Sequence, residues 1–441
     1  MITMLIGLIF SMLVLGYFEL LVLFSIMVPL SMLFLYKTNI YLEDFLLCMN
    51  DMNGLLIFMT LSLALFILIS SWSILSKDFL LLQVSVVLVL VICFLSNNLL
   101  LFYISFESSL LPILFMIIGW GYQPERLQAG MYMILYTVFG SMPLLLILLY
   151  TYFSVSTFNL YYLLVINLSG FPWYFSLGLL AFLVKLPIYS LHVWLPKAHV
   201  EAPVAGSMIL AGALLKLGGY GLYVYTNIWC FAMSDVIFVF LICLAVWGGC
   251  LAAVACLFQS DLKAMIAYSS VVHMALVVLG IFSGTSWGFS CALITMIAHG
   301  WASSGLFLLS YITYEKVQSR SFNYIKGLLS LHPSLTLFWF ILALINMAVP
   351  PTINLVGELM AVPVAAWLSF FLLFTLLIIM FLSVSYNMYM YSKVNHGPIG
   401  LYIVSSKSLS SAAMLATLVH VFPLVLLFGL NLFSLYTEYC M

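Results

Sequence analysis

The sequence predicts an all-α polytopic membrane protein of about 14 transmembrane helices, arranged as two inverted five-helix repeats with two broken helices. Three observations carry that prediction. Of 441 residues, 66% are apolar and only 6% are charged, whereas soluble domains run about 45–50% apolar and about 25% charged. Apolar runs of membrane-spanning length follow one another along the chain, and the basic residues fall in alternate loops between them.

The composition excludes whole classes of function. Twelve Lys and Arg and thirteen Asp and Glu are too few to solvate a soluble globule of this size. A net charge of −1 speaks against nucleic acid as a partner and for membrane lipid as the surroundings. The eight cysteines are scattered singly, without a C-x-x-C pair or a metal-ligand cluster. No glycine-rich nucleotide motif is present either. The expectation is a chain that holds no metal and no cofactor of its own.

A helical span needs about 20 mostly apolar residues. That ruler places spans near 1–17, 20–36, 55–75, 79–95, 97–118, 127–152, 172–196, 200–226, 234–257, 262–282, 288–314, 335–366, 368–392 and 411–434. The first two form one run, divided at Gly16 and Tyr17. Loops after odd-numbered spans hold Lys77, Arg126, Lys197, Lys263, Lys316, Arg320, Lys326, Lys393 and Lys407, and loops after even-numbered spans hold only Lys37. By the positive-inside rule the odd loops face the compartment of synthesis. The expected organisation is N-terminal spans 1–3 over residues 1–78, a first repeat of spans 4–8 over 79–226, a second repeat of spans 9–13 over 234–392, and a C-terminal span over 393–441.

Spans 7 and 12 are interrupted. Span 7 reads VKLPIYSLHVWLP, with Pro187 shortly after Lys185; span 12 reads NMAVPPTINLVGEL, with Pro350 and Pro351 ahead of Glu358. A proline removes one helical hydrogen bond and crowds the preceding turn, at about 3 kcal/mol. Hydrocarbon cannot satisfy the freed groups, so protein or water must. Two such interruptions in corresponding places predict an internal inverted repeat with ion sites at the breaks.

Four charged side chains fall inside spans: Glu107 in span 5, Lys185 in span 7, Lys216 in span 8 and Glu358 in span 12. An ionised group at mid-bilayer costs from about 2.5 to 10 or more kcal/mol, and two acids against two bases suggest pairing inside the bundle. The plainer alternative is a buried salt bridge that only fixes packing. The chemical alternative is proton transfer: a buried ammonium whose carboxylate partner moves can release or take up a proton. In that reading Glu107 and Lys185 form the titrating unit, Lys216 relays, and Glu358 passes the proton to one face. Moving a charge against the membrane potential takes about 2.3 kcal/mol per 100 mV, and nothing in the chain supplies that energy. His273, His299 and His192, in spans 10, 11 and 7, are further relay candidates, since imidazole titrates near neutrality; each is equally compatible with a hydrogen-bonded packing role. Gly300, Ser303 and Ser304 beside His299 leave room for water.

The stretch KLPIYSLHVWLPKAHVEAPVAGSMILAGALLKLGGYG, residues 185–221, resembles the signature of the antiporter-like subunits of respiratory complex I. WGYQPERLQAGMYMILYTVFGSMPLL from Trp120, QSDLKAMIAYSSVVHMALVV from Gln259 and PPTINLVGEL from Pro350 extend the likeness over about residues 95–395. The resemblance implies the same count of helices, the same inverted repeats and broken helices, and a role in proton translocation driven by NADH-to-ubiquinone electron transfer in other subunits. It implies that Glu107 is the essential carboxylate of span 5, Lys185 the pumping lysine and Lys216 the connecting lysine. Glu358 matches an acid that sets this type apart from its neighbours. It implies FMN and iron–sulfur clusters elsewhere in the complex, neighbouring antiporter-like subunits resembling chains 2 and 5 as partners, and the mitochondrial inner membrane as the location. The chain departs from the pattern at Val272, where relatives often carry serine, which removes that hydroxyl as a partner for His273. A subunit of a multisubunit cation/proton antiporter carries the same motifs and is the competing expectation; a purely structural membrane subunit is the third.

Overall fold

The computed structural model describes all residues outside 1, 14–15, 36–41, 44–46, 72–75, 167–172, 230–235, 400–408 and 426–441. Lys37, Lys407, Cys230, Cys440 and the end of span 14 lie outside the described residues. Almost every described element is helical. The departure from the all-α expectation is a two-residue antiparallel pair, Leu42–Glu43 with Cys48–Met49, in the loop before Asp51–Ser70. Loop backbone there finds its hydrogen bonds in strand pairing rather than in a helix.

Among the described residues nine helices are long and apolar enough to cross a membrane, from Met52–Ser70 to Phe370–Asn395. They form because long runs of Leu, Val, Ile and Phe offer no polar side chain to compete with the backbone, and in hydrocarbon only a helix satisfies every N–H and C=O internally. Their surroundings differ. An 18-residue stretch of Ser286–Val317 is wholly buried and that of Leu262–Phe282 is 94% buried, while Arg126–Val155 and Phe370–Asn395 are each 39% buried. The peripheral helices expose large apolar side chains such as Phe139, Phe153, Phe370 and Phe381, as a lipid-facing surface requires. His273 and His299 sit on the two most enclosed helices.

The chain divides into two compact units. The first comprises Met1–Pro187 and Glu201–Ile237, the second Ile188–Val200 and Phe238–Met441. In the first unit, Arg126–Val155 packs on the helix Leu179–Lys185, which in turn packs on Leu215–Trp229. In the second, Ser286–Val317 is central and lies against Leu262–Phe282, Pro333–Asn346, Ile353–Leu368 and Ser411–Val425.

Each unit ties two of its loops by the same hydrogen-bond pattern. In the first, Asn98 bridges Asn159, with Leu99 N–H donating to the Phe158 carbonyl (3.0 Å) and Leu160 N–H to the Asn97 carbonyl (2.9 Å). In the second, Asp261 bridges Ser321, with Leu262 N–H donating to the Arg320 carbonyl (3.1 Å) and Phe322 N–H to the Ser260 carbonyl (2.9 Å). The long helix before each tie ends alike. Arg126–Val155 stops at Ser156 (φ 61°) and Ser286–Val317 at Gln318 (φ 57°), each N–H bonding back to a tyrosine carbonyl at 2.7 Å.

Proline alone does not break these helices, since Pro29, Pro143, Pro363 and Pro423 lie within continuous ones. At the first break Leu186 is already extended (φ −82°, ψ 93°), the conformation favoured before proline. Residues 186–193 are non-helical, Ser190 takes φ 88°, and Trp194–Glu201 follows. At the second, Pro333–Asn346 ends, Ala348 takes φ 57°, and helix resumes at Ile353–Leu368. A non-glycine residue held in the left-handed region at both interruptions shows that the surrounding structure dictates the backbone there.

Candidate functional site

The first group of buried polar residues is built on a kink. Pro112 has no N–H to give the Ser108 carbonyl and its ring crowds that turn. The span accordingly divides at Ser109 into Leu99–Ser108 and Leu110–Trp120. The division frees the Phe106 carbonyl, which accepts from Ser109 Oγ at 2.8 Å and from Lys185 Nζ at 2.6 Å. Lys185 is the last residue of Leu179–Lys185 and is 3% exposed. Its ammonium lies 3.1 Å from the centroid of the Phe106 ring, so a carbonyl and an aromatic face together hold the cation. The Phe106 and Phe182 rings meet edge to face at 5.6 Å and close one side of the pocket.

Glu107 stands beside this arrangement without locking it. Its Oε1 is buried with no hydrogen-bond partner among the described residues. The direct hydrogen bond of the Lys185 ammonium goes to the Phe106 carbonyl and not to the Glu107 side chain. A salt bridge serving only packing would close the pair. Here the buried cation rests on a carbonyl while a carboxylate oxygen of Glu107 is left unbonded, so the two remain able to rearrange.

Gly218 lets Leu215–Trp229 approach the first break. A Cβ at that position would stand 2.9 Å from the Leu186 nitrogen and 3.2 Å from the Lys185 Cβ. Two residues earlier, Lys216 is fully buried and donates from Nζ to the Ala211 carbonyl at 2.6 Å. Ala211 lies in a π-helical turn, Leu210–Leu214, inserted between Val204–Ile209 and Leu215–Trp229. Such turns shift the hydrogen-bond ladder and are frequent at functional sites. The sequence reading identified Lys216 but not the π turn that positions it; the small residues of AGA are its only sequence signal.

The second unit assembles Glu358, His273 and His299. His273 Nδ1 lies 4.0 Å from Glu358 Oε1, and the His273 and His299 rings are 5.4 Å apart at 42°. All three side chains are buried. The 4.0 Å gap is beyond a hydrogen bond and within the range of an ion pair, so a small displacement decides between the two. Gly357 brings this level of Ile353–Leu368 against Ser286–Val317: its carbonyl accepts from Cys291 Sγ at 3.2 Å, and a Cβ there would stand 2.6 Å from Thr295 Cγ2. The sequence reading expected opposite charges to pair but had no signal for His273 as the partner of Glu358.

The remaining candidate, His192, belongs to the second unit and is held by rings. Tyr189 stacks on it at 4.9 Å and Tyr268 meets it edge-on at 5.7 Å, while its Nδ1 is buried without a hydrogen-bond partner among the described residues. Missed altogether were three buried amides around the second break. Asn346 Nδ2 donates to Asn387 Oδ1 (3.0 Å), Asn387 Nδ2 to the Ser383 carbonyl (2.9 Å), and Asn354 Nδ2 to the Ile345 carbonyl (2.8 Å). Asn346 and Asn354 were signalled as amides flanking Pro350 and Pro351 in an apolar run, and Asn387 as an amide within the apolar helix Phe370–Asn395. Among the described residues no group of three His, Cys, Asp or Glu side chains is placed to hold a metal ion.

Comparison with known proteins places this arrangement. The family model described as NADH:quinone oxidoreductase/Mrp antiporter, transmembrane, matches residues 96–384. NADH-ubiquinone oxidoreductase chain 4 of Albinaria caerulea is 43% identical over 412 residues, covering 93% of this chain and 94% of the relative. The chain 4 of Locusta migratoria is 50% identical over 309 residues, covering 69% and 68%. In fold, the chain is similar to a chain of respiratory complex I from Thermus thermophilus with bound NADH (TM-score 0.89, 22% identity, 99% and 98% covered). It is also similar to a chain of the Mrp complex from a Dietzia species (TM-score 0.87, 14% identity, 100% and 95% covered).

Proposed function

The chain belongs to the NADH:quinone oxidoreductase/Mrp antiporter transmembrane family, and from that premise we propose that it is a core membrane subunit of respiratory complex I that translocates protons. Its near-full-length likeness to chain 4 relatives supports this over a cation/proton antiporter subunit. In this reading it resides in the mitochondrial inner membrane with the basic odd-numbered loops facing the matrix. It assembles with other complex I subunits, in particular neighbouring antiporter-like ones. NADH oxidation, flavin and iron–sulfur chemistry belong to those partners; this chain contributes proton-transferring side chains.

The observation that carries the reading is that each unit holds buried ionisable groups in a rearrangeable contact next to a helix break. At the first, a proton moves between Lys185 and Glu107 when the ammonium leaves the Phe106 carbonyl for the carboxylate. At the second, Glu358 and the imidazoles of His273 and His299 exchange it, and Lys216 and His192 supply further stations. Redox-driven changes in neighbouring subunits bias these positions and supply the energy.

Fourteen spans in two repeats remain part of the proposal. The nine long helices, the apolar helices Thr3–Leu13, Tyr17–Leu33 and Ser411–Val425, and a broken span at each interruption support that count. The matching loop ties at Asn98–Asn159 and Asp261–Ser321 support the repeats over 79–226 and 234–392. Lys185→Ala in the assembled complex, sealed into vesicles, tests the function: NADH oxidation should acidify or alkalinise the lumen less per NADH than with the native chain. Undiminished pumping would overturn the role of Lys185, and sodium-dependent transport without NADH oxidation would favour the antiporter.

A further inference from the structure

The amides around the second break form a mechanical chain that ends at Glu358. Asn387, on Phe370–Asn395, bonds its own helix at the Ser383 carbonyl and accepts from Asn346, the last residue of Pro333–Asn346. One residue before, the Ile345 carbonyl receives two donors: the Ala348 N–H at 3.1 Å, from within the break, and Asn354 Nδ2 at 2.8 Å, from beyond it. Asn354 is therefore a clasp across the interruption, joining the end of one half-helix to the beginning of the next. Asn346, Asn354 and Asn387 are 1%, 5% and 1% exposed, so water does not offer a ready substitute.

Asn354 and Glu358 are four residues apart on Ile353–Leu368, hence on one face and one turn apart. The buried positions Asn354, Gly357, Glu358, Ala361 and Ala365 trace that face. Because the helix is rigid between them, the clasp at Asn354 fixes the rotation and height at which Glu358 is presented to His273. The contact it sets is the 4.0 Å separation of Nδ1 and Oε1, where a shift of about 1 Å forms a hydrogen bond and a shift the other way parts the pair.

We propose that Asn354 is a positioning residue for proton transfer at Glu358: its bond to the Ile345 carbonyl sets the Glu358–His273 distance. The inference rests on the proton-translocation reading of Glu358. Misplacing reacting groups by about 1 Å costs up to about a hundredfold in rate, and part of that is recoverable by relaxation of a single turn, so about a tenfold slowing of pumping-coupled turnover is expected.

The test uses the assembled complex in sealed vesicles, comparing Asn354→Leu, Asn354→Gln, Glu358→Gln and the double variant Asn354→Leu with Glu358→Gln. The measurements are protons moved per NADH, the pH profile of that ratio, and the amount of complex on native gels. Asn354→Leu should lower the ratio and displace its pH profile, while Asn354→Gln, which keeps an amide donor, should restore both. In the Glu358→Gln background Asn354→Leu should add nothing further, since its effect runs through that carboxylate. Additive losses, or a native pH profile in Asn354→Leu complex that assembles normally, would overturn the positioning role. If Asn354→Leu fails to assemble, the Asn354→Gln profile decides alone: a native profile supports the clasp and a displaced one with the donor retained refutes it. Native pumping by Glu358→Gln itself would instead sink the functional reading of Glu358, a result distinguishable from failure of the inference.

Discussion

Neutralising Glu107 and Lys185 together separates a proton-transferring pair from a structural one. Replacing Lys185 by Met removes a charged hydrogen bond to the Phe106 carbonyl and a cation stacked on the Phe106 ring. Charged hydrogen bonds contribute about 1.5–3 kcal/mol and a desolvated cation–π contact about 2 kcal/mol. The Phe106 carbonyl keeps Ser109 Oγ as a donor, which holds the loss toward the lower end, at about 3.5 kcal/mol. Lys185→Met also leaves the buried Oε1 of Glu107 without a cation to turn to. Breaking one partner of a buried pair costs about 3–5 kcal/mol, whereas replacing both is often neutral. Glu107→Gln alone leaves the carbonyl bond of Lys185 in place. Assembly should therefore fall in Lys185→Met, stay near native in Glu107→Gln, and recover in the double variant. Pumping should be lost in all three, by about two orders of magnitude for a rise of about 3 kcal/mol in the transfer barrier, at about 1.36 kcal/mol per tenfold. Native gels report assembly, and a pH-sensitive dye in sealed vesicles reports protons per NADH. A double variant that assembles and pumps at the native ratio would show that the pair only holds helices together.

Lys216→Met should weaken the assembled complex by about 1–3 kcal/mol through loss of the bond to the buried Ala211 carbonyl, visible as a lower thermal midpoint. Its pumping should fall even at temperatures where assembly is complete. Gly357→Val should clash with Thr295 and reduce assembled complex severalfold, with Thr295→Ser restoring part of it by removing the methyl that a Cβ would meet at 2.6 Å; equal assembly with and without the second change would refute the contact. Leu160→Pro removes the N–H that ties Leu160 to Asn97 while leaving a proline at the first position of Leu160–Ile166, where it is tolerated. The lost bond together with the lost packing of the buried Leu160 side chain should lower stability by about 2–5 kcal/mol, read from the midpoint of thermal unfolding of the complex.

The residues legible in the sequence were those whose chemistry conflicts with a membrane interior. Glu107, Lys185, Lys216 and Glu358 announce themselves because a charge in an apolar run needs a reason, and the breaks announce themselves through Pro187 and Pro350 beside such charges. What escaped depends on backbone geometry and on three-dimensional neighbourhood. The Phe106 carbonyl is a ligand for Lys185 only because the span kinks at Ser109, and Pro112 carried that signal. The π turn at Leu210–Leu214 is an irregularity of backbone geometry that the small residues of AGA signal only weakly. The meeting of His273 with Glu358 joins spans separated by a third, which no local pattern encodes. Asn346, Asn354 and Asn387 were readable as polar residues in a helix that hydrocarbon would reject, but their amides carry no charge.

The two breaks solve one physical problem with different chemistry, and the difference bears on how each works. An interrupted helix leaves carbonyls at the end of its first half and amides at the start of its second, and each must find a partner where there is no lipid-side water. In the second unit, Asn354 gives a neutral amide to the Ile345 carbonyl, and the interruption is satisfied whatever the charge on Glu358. In the first, the cation that ends Leu179–Lys185 donates its hydrogen bond to another helix, at the Phe106 carbonyl freed by the kink. A change of protonation at Lys185 therefore alters a contact between helices, whereas a change at Glu358 acts on a side-chain gap above a backbone already held. Under the proposed function, the first break would convert charge into movement and the second would transfer a proton at a fixed position.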